Sequence, residues 1–385
     1  MIVLVAISAF FIALFGMPTL IKVAKLKRLV DEPEDPRKIH NRTVPTVGGI
    51  MVFITLMFNV FFWMSIGEVP SQQTFQSGSI LVACAVFIFF MGLKDDIVGL
   101  SAAKKLLVHI GVGLLLVTIG DFRINSFGGL FGIEALPEGA SIIFSMFVYI
   151  VVVNALNLID GIDGLVGGYS VIAMSAFGFW FIQTGQLPAA IISLTTAGAM
   201  TGFLVFNFAP ARIFLGDCGS LLLGLLAYSL ATQVISTPQE LVPAEWSGLS
   251  KPILAMSILA YPLVDTLRVF CLRAARGISP FNPDRNHLHH RLMMRLRDHG
   301  RTALFVYTFS LAMIALAWSK PYIYPNFSEE AMFAGLFGLA FAWFSPVLRS
   351  TRGQHKLAEH RDRVLREAAE EVKKSKTHNP LKVCL

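Results

Sequence analysis

Eleven apolar runs, each close to the length needed to cross a bilayer, set the terms on which this chain can fold. A spanning helix takes roughly 17–25 such residues. The runs fall at about 1–21, 47–67, 79–94, 104–120, 140–157, 165–184, 188–208, 219–236, 252–271, 303–319 and 329–347. The third and fourth are short, so tilted or irregular helices are expected there. Lipid offers no partner for backbone N–H and C=O groups, which leaves helices or a closed barrel as spanning structures. Runs this long select helices. The chain is therefore read as an all-α polytopic integral membrane protein with about eleven transmembrane helices. Its 15% charged residues, against about 25% in a soluble domain, agree with that reading.

An odd number of spans puts the termini on opposite sides, so the positive-inside rule selects one orientation. With the N-terminus outside and the C-terminus cytoplasmic, 29 of the 32 Lys and Arg residues fall on inner segments. Only Arg123, Lys251 and Lys320 fall outside. The net charge of +7 then reflects basic loops facing anionic headgroups, and nucleic-acid binding is not needed. No basic residue precedes Lys22, so the first run is read as a retained helix and not a cleaved signal. Cys84, Cys218, Cys271 and Cys384 show neither metal-ligand spacing nor a disulfide framework. Two regions are expected: a transmembrane domain over 1–348 and a basic cytoplasmic tail over 349–385. In the tail, Leu357, Val364, Leu365, Ala368 and Val372 form one stripe of an amphipathic helix.

This topology brings the unusual polar residues to one side. KDDIVGLSAAKK (94–105), NALNLIDGIDGL (154–165), FAPARIFLGDCGS (208–220) and SPFNPDRNHLHHRL (279–292) all join spans at the inner face. DPRKIHNRTVPTVGG (35–49) enters the second span from the same side. Carboxylates set against membrane helices are costly and mark function unless paired.

Asp95 and Asp96 are adjacent, hence about 100° apart on a helix. They can face one cation only if the backbone bends, which Gly92 and Gly99 would permit; a solvated acidic loop is the plainer alternative. Hard oxygen ligands favour Mg²⁺ or Mn²⁺, which usually also bind substrate phosphates, and Lys104 or Lys105 could hold such a phosphate. Asn154, Asn157, Asp160 and Asp163 recur every third residue and wind around one side of a helix expected to end near Ile159. Asparagine can also serve as interhelical glue. Asp217 opens a long apolar helix, either as its N-cap or as a metal ligand beside a glycine-rich, phosphate-binding helix start. The stretch DRNHLHHR (284–291) holds three histidines and two arginines. A structural loop, a zinc site and a phosphate-facing donor cluster are all open to it, the last being the most economical.

These motifs together resemble the polyprenyl-phosphate N-acetylhexosamine-1-phosphate transferases, in particular the bacterial undecaprenyl-phosphate GlcNAc-1-phosphate transferases of the WecA/TagO type. The resemblance runs from about residue 1 to about 347. It rests on RKIHNRTVPTVGG, DDIVGLSAAKKL, NALNLIDGIDGL, FLGDCGS and PFNPDRNHLHH. A sister branch, which loads phospho-MurNAc-pentapeptide, typically has three consecutive histidines. The His287-Leu288-His289-His290 form is closer to the GlcNAc branch.

The resemblance implies an enzyme at the cytoplasmic face of the bacterial inner membrane. It would transfer GlcNAc-1-phosphate from UDP-GlcNAc to undecaprenyl phosphate and release UMP, initiating lipid-linked cell-surface glycan synthesis. Implied metal ligands for Mg²⁺ (or Mn²⁺) are Asp217, Asp95 and Asp96. Asp95, Asp96, Asp160 and Asp163 form the implied catalytic set. Lys105, Asn157, Arg285, His287, His289, His290 and His40 form the implied substrate-binding set. Membrane lipids are expected neighbours, and a homodimer is carried among the partners. A nucleotide-sugar transporter is the reading from another class, although transporters hold substrate near the midplane.

Overall fold

A computed structural model describes residues 1–31, 44–66, 71–275, 277 and 287–346. His40, Arg285 and the 349–385 tail lie outside the described residues, so the readings made for them are not carried into the geometry below. Residues Met1–Gly338 form one compact unit; a second covers Leu339–Leu385.

Each of the eleven predicted runs coincides with helix. In order they are α1 (Ile2–Leu26), α2 (Gly48–Ile66), α3 (Gln72–Val98), α4 (Ala102–Leu114), α5 (Glu138–Leu158), α6 (Leu165–Gln183), α7 (Leu187–Asn207) and α8 (Asp217–Ser236). The pair α9 (Lys251–Ile258) and α10 (Ala260–Ala274), the short α11 (Leu288–Leu296) and α12 (His299–Ile323) follow. Residues 329–346 are helical at the eleventh run. Among the described residues, nine helices are long and apolar enough to cross a membrane, or ten counting α9 and α10 as one broken span. A two-residue antiparallel pairing, Val30–Asp31 with Val44–Pro45, lies at the foot of α1 and α2.

One expected irregularity is absent and an unexpected one is present. The third helix is not short: it runs 27 residues and carries Asp95 and Asp96 inside its last turns. Ser71 starts it, its side chain accepting the Thr74 N–H at 3.3 Å. The fourth is irregular as expected, closing in a π-helical turn over Leu115–Ile119. The ninth run, read as one span, is instead bent by 79° between α9 and α10. The cause is Pro262. Its ring opposes the carbonyl four residues back, and it has no N–H to donate there. That carbonyl belongs to Ile258, the last residue of α9, and it accepts the Tyr169 hydroxyl at 3.0 Å instead.

Burial ranks the helices. Along its most apolar stretch α8 is 89% buried, against 22% for α1, so α8 is the axis of the bundle, with α2, α3, α5 and α9 around it. In lipid, close helix contact comes from small residues and not from exclusion of water. Gly198 and Gly202 of α7 show this against α1: a Cβ there would lie 2.2 Å from the Ala6 oxygen and 2.7 Å from the Phe10 oxygen. At the end of the bundle where α6 and α8 finish, Trp180 stacks on Trp246 and its indole N–H donates to Thr237, in the manner of an interfacial aromatic belt.

Candidate active site

At the other end of α8, four helices and one turn bring together residues far apart in sequence. Gly216, at φ 77°, is the N-cap of α8, and Asp217 is the first residue inside the helix. The N-cap alternative for Asp217 is therefore not the arrangement found. A Cβ at Gly216 would meet the Thr46 oxygen at 2.0 Å. The α8 start is also wedged between α2 and α3: a Cβ at Gly49 would lie 2.3 Å from the Gly219 nitrogen, and one at Gly92 would lie 2.5 Å from Cys218 Cα.

The exposed amides of a helix start need acceptors. Asp96 supplies two: its Oδ1 accepts the Asp217 N–H at 2.8 Å, and its Oδ2 accepts the Cys218 N–H at 3.0 Å. Its neighbour does something else. One Asp95 oxygen accepts the Leu100 N–H at 2.6 Å, and the other pairs with the Lys105 ammonium. The bend that would turn both carboxylates to one cation is absent, because α3 continues unbroken to Val98. About 100° of helical rotation separates the two side chains.

The ammonium of Lys105 also donates to Asp217 Oδ2 at 2.9 Å. Asn157, one residue short of the end of α5, holds the opposite Asp217 oxygen at 2.9 Å and reaches Ser220 at 2.9 Å. Asp160 sits half-buried in the following turn. Loss of hydration pushes its carboxyl well above the usual range. The Asp217 and Asp96 carboxylates add to this, while a hydrogen bond from the Gly216 N–H opposes it. Asp95 and Asp217 thus share Lys105, and the Asp217 and Asp96 charges bear on Asp160, a concentration of carboxylates suited to a further cation.

The remaining members of NALNLIDGIDGL go elsewhere. Asn154 is exposed and donates to the Ile150 oxygen of its own helix at 2.7 Å, so it is not interhelical glue. Asp163 accepts the Ala211 N–H at 2.9 Å and lies 3.3 Å from His299 at the start of α12. Asp163 therefore ties the turn to the 208–216 loop and to α12. Asn207 completes that tie, accepting from the Gly164 N–H at 3.0 Å and donating to the Ile213 oxygen at 2.9 Å.

The histidines form a second cluster. His287 and His289 are buried and stack with ring centroids 5.5 Å apart; His290 lies 4.3 Å from His289 and is half-exposed. Asp265 of α10, only 1% exposed, lies 3.1 Å from His287 Nδ1 and accepts the Leu288 N–H at 2.7 Å. It also lies 3.4 Å from His289 Nδ1, outside good hydrogen-bond geometry. The two clusters adjoin, since a Cβ on Gly161 would lie 3.4 Å from His289 Nε2. Sequence reasoning missed Asp265, Ser220, Asn207 and His299. Asp265 alone carried a signal, a lone carboxylate in the apolar run LAYPLVDTLRVF.

Among the described residues no three His, Cys, Asp or Glu side chains form a ready-made metal centre. The donor chemistry nonetheless suits Mg²⁺. Asp95 and Asp217 already bracket a cation, the Lys105 ammonium, and Mg²⁺ commonly takes one or two protein carboxylates together with substrate phosphates and water. Both Asp96 oxygens, by contrast, are engaged by amides.

A helical bundle with nine membrane-length helices among the described residues and a carboxylate–lysine site at one helix end is the framework of a polytopic membrane protein. Residues 79–235 match the family described as glycosyl transferase family 4. The undecaprenyl-phosphate alpha-N-acetylglucosaminyl 1-phosphate transferase of Escherichia coli O157:H7 is 32% identical over 90% of this chain and 92% of its own length. The protein of the same description from Yersinia pestis is 31% identical, covering 80% and 81% of the two chains. The decaprenyl-phosphate N-acetylglucosaminephosphotransferase of Mycobacterium tuberculosis H37Rv is 31% identical over 90% and 89%. The chain belongs to this family of membrane-embedded sugar-1-phosphate transferases.

Proposed function

We propose that this protein transfers GlcNAc-1-phosphate from UDP-GlcNAc to a polyprenyl phosphate, with undecaprenyl phosphate the first choice of acceptor. The products are polyprenyl-diphospho-GlcNAc and UMP. The site faces the cytoplasm from the bacterial inner membrane, with the N-terminus outside. The names of the relatives support the chemistry, and 29 of 32 basic residues on the inner segments support the orientation.

The observation that carries this reading is the Asp95–Lys105–Asp217 bridge, steadied by Asn157, at the start of the most buried helix. An acceptor phosphate is already mostly ionised near neutral pH, so general-base help matters less than charge neutralisation and positioning. A phosphate oxygen of the lipid attacks the β-phosphorus of the donor. The bond from that phosphorus to the bridging oxygen breaks, and UMP leaves with the electron pair on its phosphate. Lys105 supplies a donor that can exchange a carboxylate for a phosphate oxygen. Asn157 keeps Asp217 oriented, and Asp96 holds the α8 amides in place. His289 and His290 approach the turn that carries Asp160, and with His287 they offer donors to the diphosphate. Mg²⁺, held by Asp217 and Asp95, would when bound neutralise diphosphate charge.

The test is UMP release by the purified protein in detergent, given UDP-GlcNAc with undecaprenyl or decaprenyl phosphate. Release that depends on both substrates is expected. A transporter would release none, and activity with UDP-MurNAc-pentapeptide alone would move the chain to the sister branch.

A further inference from the structure

Asp265 is the one carboxylate of the described bundle interior that the proposed chemistry leaves unused. A buried carboxylate needs partners to offset its lost hydration, and the partners of Asp265 are divided in a telling way. Its Oδ1 accepts the Leu288 N–H at 2.7 Å, which caps α11. Its Oδ2 faces Nδ1 of His287 at 3.1 Å and Nδ1 of His289 at 3.4 Å. Capping α11 needs only the first oxygen. The second addresses two imidazoles at the same ring position.

An ionised carboxylate only accepts, so the nitrogen facing it carries a proton and the other ring nitrogen is left for a different partner. That holds for His287, whose Nδ1 makes the hydrogen bond; His289, whose Nδ1 lies 3.4 Å from Asp265 without one, brings its Nε2 to the Gly161 turn, next to Asp160. The His287 ring stacks nearly parallel to it, at 18°. We infer that Asp265 is a positioning residue for the sugar-nucleotide donor: through Nδ1 it fixes the tautomer and direction of His287, and the stacked His287 ring together with the Asp265 charge sets His289, so that the histidine pair serves the diphosphate. This rests on the transferase activity proposed above.

Asp265→Asn separates capping from positioning. The amide oxygen can still accept the Leu288 N–H, but its NH₂ group replaces the oxygen that faced both Nδ1 atoms and cannot accept from them. The expected result is a KM for UDP-GlcNAc raised about tenfold or more, the usual effect of losing a charged hydrogen-bond network. The KM for the lipid phosphate should stay at its wild-type value. In a His287→Ala/His289→Ala background the same change should add little, because Asp265 acts only through those rings. If the Asn variant melts lower, Asp265→Glu takes its place in the cycle. It keeps the charge but displaces the oxygens, and a smaller KM rise that again disappears in the double-histidine background is expected. Wild-type donor KM in the tested variant, or a loss that multiplies with the histidine losses, overturns the inference alone. Absence of UMP release by the wild-type protein overturns the activity and the inference with it.

Discussion

The backbone amide of Asp217 donates to the Asp96 carboxylate at 2.8 Å across 121 residues of sequence. Together with the Cys218 amide, this makes Asp96 a cap supplied by one membrane helix to another. The negative charge lies at the positive end of the α8 dipole, where it is stabilising. Asp96 therefore contributes to the fold of the site as directly as to its charge.

Replacing Asp96 with Ala leaves the Asp217 and Cys218 amides without their acceptor. A stability loss of about 1–3 kcal/mol is expected, read as a lower melting temperature in detergent. Asp96→Asn retains one acceptor oxygen and should lose less. An Ala variant that melts with the wild type would show that these amides find other partners.

Asp217→Asn should separate from Asp96→Ala in the opposite sense. The side chain of Asp217 caps nothing, and an amide oxygen can still accept from Lys105 or Asn157, so the melting temperature should hold. Transfer should fall to background, because a neutral amide is a far weaker ligand for Mg²⁺ than a carboxylate. Chelating divalent cations from the wild-type protein should have the same effect, with activity restored by Mg²⁺ or Mn²⁺. Near-normal turnover of the variant would remove Asp217 from any metal role.

The three histidines should not behave alike, although the resemblance puts all three in the substrate-binding set. His290→Ala, at the half-exposed position, should cost about 1.5–3 kcal/mol of transition-state binding, or ten- to a hundredfold in kcat/KM, with normal melting. His287→Ala strips a partner from the buried Asp265 carboxylate and should lower the melting temperature as well. Equal melting curves for the two variants would argue against the Asp265 contact.

Asp160 provides a pH signature. Its carboxyl is held well above the ordinary range, first by lost hydration and then by the neighbouring Asp217 and Asp96 charges. Between the ordinary and the raised value, the folded chain keeps a proton that the unfolded chain has lost, so stability falls as pH rises through that window. Asp160→Asn cannot titrate. In chelator, the Asn variant should melt higher than wild type near about pH 8, and the gain should shrink toward about pH 5. A pH-independent difference would mean that Asp160 is not the group responsible.

Apolar run lengths carried the helices, and charge bias gave the orientation now proposed, because lipid restricts what a spanning segment can be. The convergence of Asp95, Lys105, Asn157 and Asp217 at one end followed from topology alone. Their division of labour did not. Whether Asp95 or Asp96 meets Lys105 depends on the rotation of α3 against α8, set by glycine contacts with no sequence period. Asp265 showed as a lone carboxylate, but its role did not, because its partners lie 22 and 23 residues away at the start of α11. The break between α9 and α10 could have been read from Pro262, whose missing N–H leaves the Ile258 carbonyl to Tyr169.

The wedging of the α8 start between α2 and α3 bears on biogenesis. A chain is made from its N-terminus, so α3, α4 and α5 emerge carrying Asp95, Asp96, Lys105 and Asn157 before their common partner exists. Until α8 is seated, Asp96 has no amides to hold, and Lys105 lacks one of its two carboxylates. A half-translated chain in the membrane thus lacks the Asp95–Lys105–Asp217 bridge, and the eighth helix completes it before the histidines of α11 are made.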